Sequence, residues 1–136
     1  MLNQISLFTE NKQGALRRMT HILAEANVNL YTMLANDSAE FGIIRLIVTD
    51  PEKALKVLQD AGYQCRMDKV LAIDMADTPG SLDKILENLE DGNVAIDYLY
   101  ISYNRKASTP VAVFKTSEPE TETFLRGKGY ELLDSF

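Results

Sequence analysis

Asn11-Lys12-Gln13-Gly14-Ala15-Leu16 and Asp77-Thr78-Pro79-Gly80-Ser81-Leu82 are the stretches of this sequence with the clearest chemical content. Each sets an Asx residue three positions before a glycine and a leucine two positions after it. If the glycine turns the chain into a helix, the helix start presents unpaired N–H groups and the positive end of its dipole, which together attract a carboxylate. Glycine lets backbone and ligand approach closely because no Cβ intervenes. Asn11 or Asp77 could hold an ammonium or polar group while also capping the helix. Such a corner can recognise a free amino acid by its backbone-like end, with the side-chain pocket formed by whatever packs opposite. The same residues are equally good turn and capping chemistry with no ligand at all. The corner residues by themselves leave both readings open.

Other reactive groups are sparse. Cys65 is the only cysteine and His21 the only histidine, so neither a disulfide framework nor a Cys/His zinc site can be built. Cys65 reads as a half-buried strand residue and His21 as an inert helix residue. No nucleophile has an activating base in reach of the pattern, and the neighbouring Asp74 and Asp77 read as solvated loop ends. Catalysis is therefore not expected, and no cofactor is implied. Tyr98, Tyr100 and Tyr103 recur at strand spacing, but only Arg105 and Lys106 accompany them, so they read as core and interface residues rather than an RNA-binding platform.

Charge and hydropathy narrow the partners. The 136 residues carry a formal charge of −6, divided as −1 over residues 1–68 and −5 over residues 69–136. Nucleic acids and anionic membranes call for a basic field, so neither is expected as a partner. The most apolar run, about residues 42–48, is broken by Arg45 and falls far short of the roughly 20 residues of a membrane span. The N-terminus lacks the basic start and apolar block of a secretory signal, which makes a cytoplasmic location the expectation.

The elements around the corners repeat. A shift of 66 positions lays residues 11–16 on 77–82, Met19 on Ile85, Leu23 on Leu89, and Asn27-Val28-Asn29-Leu30 on Asn93-Val94-Ala95-Ile96. A small insertion then aligns Asp50-Pro51-Glu52 with Glu118-Pro119-Glu120, and Gly62-Tyr63 with Gly129-Tyr130. Leu16, Met19, Leu23 and Ala26 fall at helical spacing, as do Leu82, Ile85, Leu86 and Leu89. Asp77 or Thr78 is expected to cap the latter helix with Pro79 in its first turn, and Asn27 and Gly92 to end the pair. Strands are expected over 2–8, 28–36, 41–48 and 63–67, then over 70–75, 94–103, 109–116 and 130–133, with helices opened by Pro51 and Pro119 in between. The expected fold class is α+β: two ferredoxin-like βαββαβ units side by side, residues 1–68 and 69–136, each an antiparallel sheet with both helices on one face. The outer strands do not alternate cleanly. Ile43 and Ile47 oppose Ile44, Leu46 and Val48, while Leu30, Thr32 and Leu34 oppose Tyr31, Met33 and Ala35. Apolar groups on both faces lead to the expectation that another subunit covers the second face.

The duplicated Asx-x-Pro-Gly-x-Leu corner of Asp77–Leu82, the apolar helix, and the Val28-Asn29-Leu30 start of a second strand resemble the ACT domain over essentially the whole chain. The resemblance implies a freestanding regulatory protein that binds a free amino acid as effector, forms a homodimer through a sheet face or edge, and acts in trans on a partner enzyme or transporter. It implies ligand contacts at Asn11, Gln13, Gly14, Ala15, Leu16 and Asn29 in copy one, and at Asp77, Gly80, Ser81, Leu82 and Ala95 in copy two. The copies depart from the pattern differently. Gln13 replaces the usual proline and frees an N–H, whereas Ala95 stands where copy one has Asn29, and Asp74 and Asp77 add negative charge. Copy one is therefore the expected carboxylate site. The alternative is a structural subunit that uses the fold only for assembly.

Overall fold

A computed structural model of the chain describes residues 1–10, 12–36 and 41–136. The chain divides into two compact units, one of Asn3–Asp68 and one of Lys69–Phe136 joined by Met1–Leu2. The elements are β1 (Leu2–Glu10), α1 (Ala15–Glu25), β2 (Leu30–Asn36), β3 (Phe41–Val48), α2 (Pro51–Asp60), β4 (Gln64–Asp74), α3 (Ser81–Asp91), β5 (Tyr98–Asn104), β6 (Thr109–Lys115) and α4 (Thr121–Gly127).

In the first unit the strand order is β2-β3-β1-β4, with β1 antiparallel to β3 and β3 antiparallel to β2. Met19 and Leu23 of α1 join Ala54 and Leu58 of α2 over Ile5, Leu7, Ile44, Leu46 and Val48 in a single buried cluster. Both helices therefore cover one sheet face. The second unit repeats the plan with order β4-β6-β5, and Ile85, Leu89 and Leu125 pack on Leu71, Ile73, Ala112 and Phe114. This is the ferredoxin-like arrangement expected from the repeat.

Several local expectations change. Residues 63–67 and 70–75 do not form separate strands. No glycine or proline interrupts them, and β4 runs straight through. Residues 130–133 supply only an isolated bridge, Leu132 to Ile73, plus a bond from the Leu133 N–H to the Ala72 carbonyl at 2.9 Å. Strands β2 and β5 start later than the apolar pattern implies, because Asn27 and Asn93 adopt φ of 58° and 56° and the chain must recover from that left-handed turn first. That left-handed residue is Asn93, not Gly92. Pro51 opens α2 behind a capping bond from the Lys53 N–H to Asp50, but Pro119 stays outside α4, which begins at Thr121. In β2 a bulge between Leu30 and Thr32 pairs Leu30 with Val48 and Thr32 with Ile47, so Leu30 faces away from Thr32 and Leu34. The residues expected between β2 and β3, 37–40, lie outside the described residues.

On the second face of the second unit, Val70, Ala72, Val111 and Val113 alternate with the helix-facing residues and are fully buried. In the first unit the corresponding face is polar where it is most buried. The Gln4 side chain donates to Ser6 Oγ at 3.2 Å, the Ser6 hydroxyl donates to Asp68 at 2.7 Å, and Arg66 pairs with Asp68 at 3.3 Å. Buried polar groups of this kind require partners, and these have them.

Gly92 is required by a neighbouring ring, not by its dihedral. Its φ is −84°, ordinary for any residue, but an added Cβ would lie 2.6 Å from Phe124. Gly92→Ala should therefore destabilise the protein by about 1–3 kcal/mol through overpacking, and the additional change Phe124→Leu should restore part of that loss. Urea unfolding of the single and double variants checks both.

Candidate functional site

Both corners begin their helices on a left-handed glycine. Gly14 has φ 82° and is the N-cap of α1; Gly80 has φ 90° and is the N-cap of α3. Neither helix has a side-chain cap, so the expected capping by Asp77 or Thr78 does not occur. Pro79 lies one residue outside the helix rather than in its first turn. The Thr78 and Ser81 hydroxyls instead bond to each other at 2.9 Å. A side-chain cap needs an extended residue at the N-cap position, and the left-handed glycine occupies it.

The missing cap leaves donors unused. The Ala15 N–H is bonded to the Lys12 carbonyl and the Arg18 N–H to the Gly14 carbonyl, whereas the N–H groups of Leu16 and Arg17 have no acceptor among the described residues. In copy two, Ser81 and Lys84 make the equivalent bonds and the N–H groups of Leu82 and Asp83 are the equivalent pair. The electrostatics then diverge. The first turn of α1 contains no acidic residue, but α3 carries Asp83 there. Asp83 answers its own helix dipole, and α1 has no acidic residue in its first turn to do the same.

Copy one has a recess at this place, with a volume of about 250 Å³. Gly14, Ala15, Leu16 and Arg17 form its helical wall. Thr9, Glu10 and Lys12 contribute from the end of β1 and the turn, and Ala35, Gly42 and Ile44 from β2 and β3. Lys12 Nζ lies 3.1 Å from Glu10 Oε2, so these two charges are paired. Arg17 makes no ion pair among the described residues. The recess of copy two, about 360 Å³, is shallower and open, and it lies between Asp74, Gly80, Ser81, Lys84 and Tyr130. There the Asp74 carboxylate accepts from Thr109 at 2.7 Å and from Asn104 at 3.2 Å. Asn88 donates to the Tyr130 hydroxyl at 2.7 Å.

Not every residue expected at the corners is there. Gly14, Ala15 and Leu16 line the first recess, and Gly80 and Ser81 line the second. Gln13 is exposed in the turn but is not part of the wall, and Asp77 and Leu82 are not part of the second. Asn11 lies outside the described residues. Asn29 is at the other end of its unit: it bonds to Thr49, seven residues along β3 from Gly42, or about 23 Å away. Its Oδ1 accepts from the Leu30 N–H at 2.9 Å, which is a strand-opening role. Ala95 is placed alike, its carbonyl accepting from Thr116 at 2.7 Å. The physical reason is chain direction, since a strand that follows a helix starts at the helix C-terminus, opposite the corner. The residues missed were Arg17, Lys12 and Glu10. The 66-position shift that sets Arg17 against Asp83 carried the signal.

Among the described residues no helix is long and apolar enough to cross a membrane, and no cluster of His, Cys, Asp or Glu suits a metal ion. Desolvation raises the Cys65 thiol above its ordinary range. Its alkylation by iodoacetamide at pH 8 should accordingly run slower in the folded protein than in urea, because the thiolate is the attacking species.

A left-handed glycine opening an uncapped helix, within a βαββαβ unit present twice, defines a tandem ferredoxin-like fold. The chain matches the ACT domain pair family over residues 1–126 and belongs to it. A Bacteroides thetaiotaomicron protein, BT0572, is 35% identical to it over 97% of this chain and 91% of its own, with a TM-score of 0.89. The regulatory subunit of aspartate kinase from Thermus thermophilus shares the fold at 16% identity, with a TM-score of 0.68 over 93% of this chain and 90% of its own. The corresponding Thermus flavus subunit does so at 17% identity and a TM-score of 0.63, over 91% and 88%. No curated protein matches this chain in sequence.

Proposed function

We propose that this protein binds a free amino acid and, through that binding, regulates a metabolic enzyme or transporter in trans, in the cytoplasm and without catalysis of its own. The observation that carries the reading is the copy-one recess, where the N–H groups of Leu16 and Arg17 have no acceptor among the described residues and Arg17, in no ion pair among them, lines a cavity of about 250 Å³. An α-carboxylate satisfies all three at once, in charge-assisted bonds that are individually worth about 1.5–3 kcal/mol. Glu10, whose second carboxylate oxygen is not engaged by Lys12, can take the α-ammonium. Two structural neighbours are regulatory subunits of aspartate kinase, which agrees with this class of role. Pairing of two copies through a sheet face or the open edge of β2 or β5 belongs to the same proposal. The effector would act only to the extent that it binds one arrangement of the protein better than another.

Thermal unfolding with a panel of amino acids tests the reading. A ligand at 100 times its dissociation constant should add about 2.7 kcal/mol of stability. Arg17→Ala should weaken the responding ligand at least tenfold, and Asp77→Ala should leave it nearly unchanged. No response to any amino acid would favour the assembly role instead, and loss on Asp77→Ala with retention on Arg17→Ala would move the site to copy two.

A further inference from the structure

Building on the amino-acid-sensor reading, we infer that the copy-one recess selects an amino acid with an uncharged, apolar side chain. The charges decide this first. Among the described lining groups, Glu10 and Lys12 neutralise each other and Arg17 leaves a single net positive charge. A zwitterion can place its carboxylate at Arg17 and the helix start and its ammonium at Glu10. A second carboxylate on the side chain would lie against the apolar wall, where loss of water penalises its charged form. A second ammonium would meet Lys12 and Arg17, which is disfavoured at short range.

The remaining wall decides the rest. What the polar groups leave for a side chain is Ala15, Leu16, Ala35, Gly42 and Ile44. Ile44 is buried beneath the helix, Leu16 is 44% exposed, and Ala35 is exposed on the outer strand. Leu16 and Ala35 thus hold apolar surface that water covers until something apolar replaces it. The recess, of about 250 Å³, has room for a ligand side chain against this wall. Because Ala35 pairs with Ile44 across the strands at the recess, its side chain sets how much room a ligand side chain has.

Calorimetric titration of the intact protein with L-alanine, L-valine, L-leucine, L-aspartate and L-lysine tests the inference. Leucine and valine should bind more tightly than alanine, by about fourfold for each methylene that becomes buried. Aspartate and lysine should be at least tenfold weaker than leucine. Ala35→Phe should weaken leucine at least tenfold and leave alanine within about threefold. Ala35→Leu should show the same ordering to a smaller degree, and it guards against a folding defect in the larger variant. Tighter binding of aspartate or lysine than of leucine would overturn the apolar assignment and leave the sensor reading standing. Leucine binding that neither Ala35 variant alters would place the ligand elsewhere and overturn the inference, and silence from all five amino acids would remove the sensor reading with it.

Discussion

In each unit the chain has to leave the end of a strand and enter a helix within three or four residues, and it does so through a glycine at φ 82° or 90°. An L-residue with a Cβ pays for that conformation, glycine does not. The position of the helix over the sheet follows from this turn, and with it the cluster of Met19 and Leu23 on Ile5 and Leu7, or of Ile85 and Leu89 on Leu71 and Ile73. The turn also excludes a side-chain cap, because the residue that would provide it is the glycine itself. Fold and candidate site therefore share one cause: the geometry that lets the helix pack leaves its first amide groups without an acceptor among the described residues.

What distinguishes the two corners is a handful of side chains. Arg17 and Asp83 occupy the same helical position in the two copies, and their opposite charges give the unused donors opposite prospects. Asp74 reinforces the difference, since its carboxylate is already held by Asn104 and Thr109 at the rim of the second recess. Asn104 in turn accepts from the N–H groups of Lys106 and Ala107, tying the β5–β6 turn to the same point. One corner is thus organised around internal bonds and the other around an opening.

Much of this was legible in the sequence. The apolar spacing of α1 and α3 and the bounds of β3 are written in residues whose periodicity no neighbour contradicts. The internal repeat fixed the element order because four landmarks recur in step. Less was legible at the joints. The Asx-x-Pro-Gly pattern suggests a side-chain cap, and only the left-handed φ of Gly80 shows that the helix starts later. The bulge that turns Leu30 away from Thr32 leaves no mark in composition. Asn29 opens β2, and the direction of the chain carries that start to the end of the sheet away from its own unit's corner. The burial of Val70, Ala72, Val111 and Val113 could not be read from their types, because apolar residues on both sides of a strand look the same whatever covers them.

β4 bears on the history and the handling of the repeat. The two copies are joined by eleven residues of unbroken strand, Gln64–Asp74, whose early side chains Cys65 and Met67 pack on the first cluster and whose later ones, Leu71 and Ile73, belong to the second. A tandem duplication usually leaves a seam, a polar or glycine-rich connector where chains can be cut, circularly permuted or lengthened. Here the seam has been absorbed into secondary structure. Any cut or insertion between Asp68 and Lys69 falls in the middle of a hydrogen-bonded ladder, so the halves of this sequence, separable on paper, are not interchangeable modules.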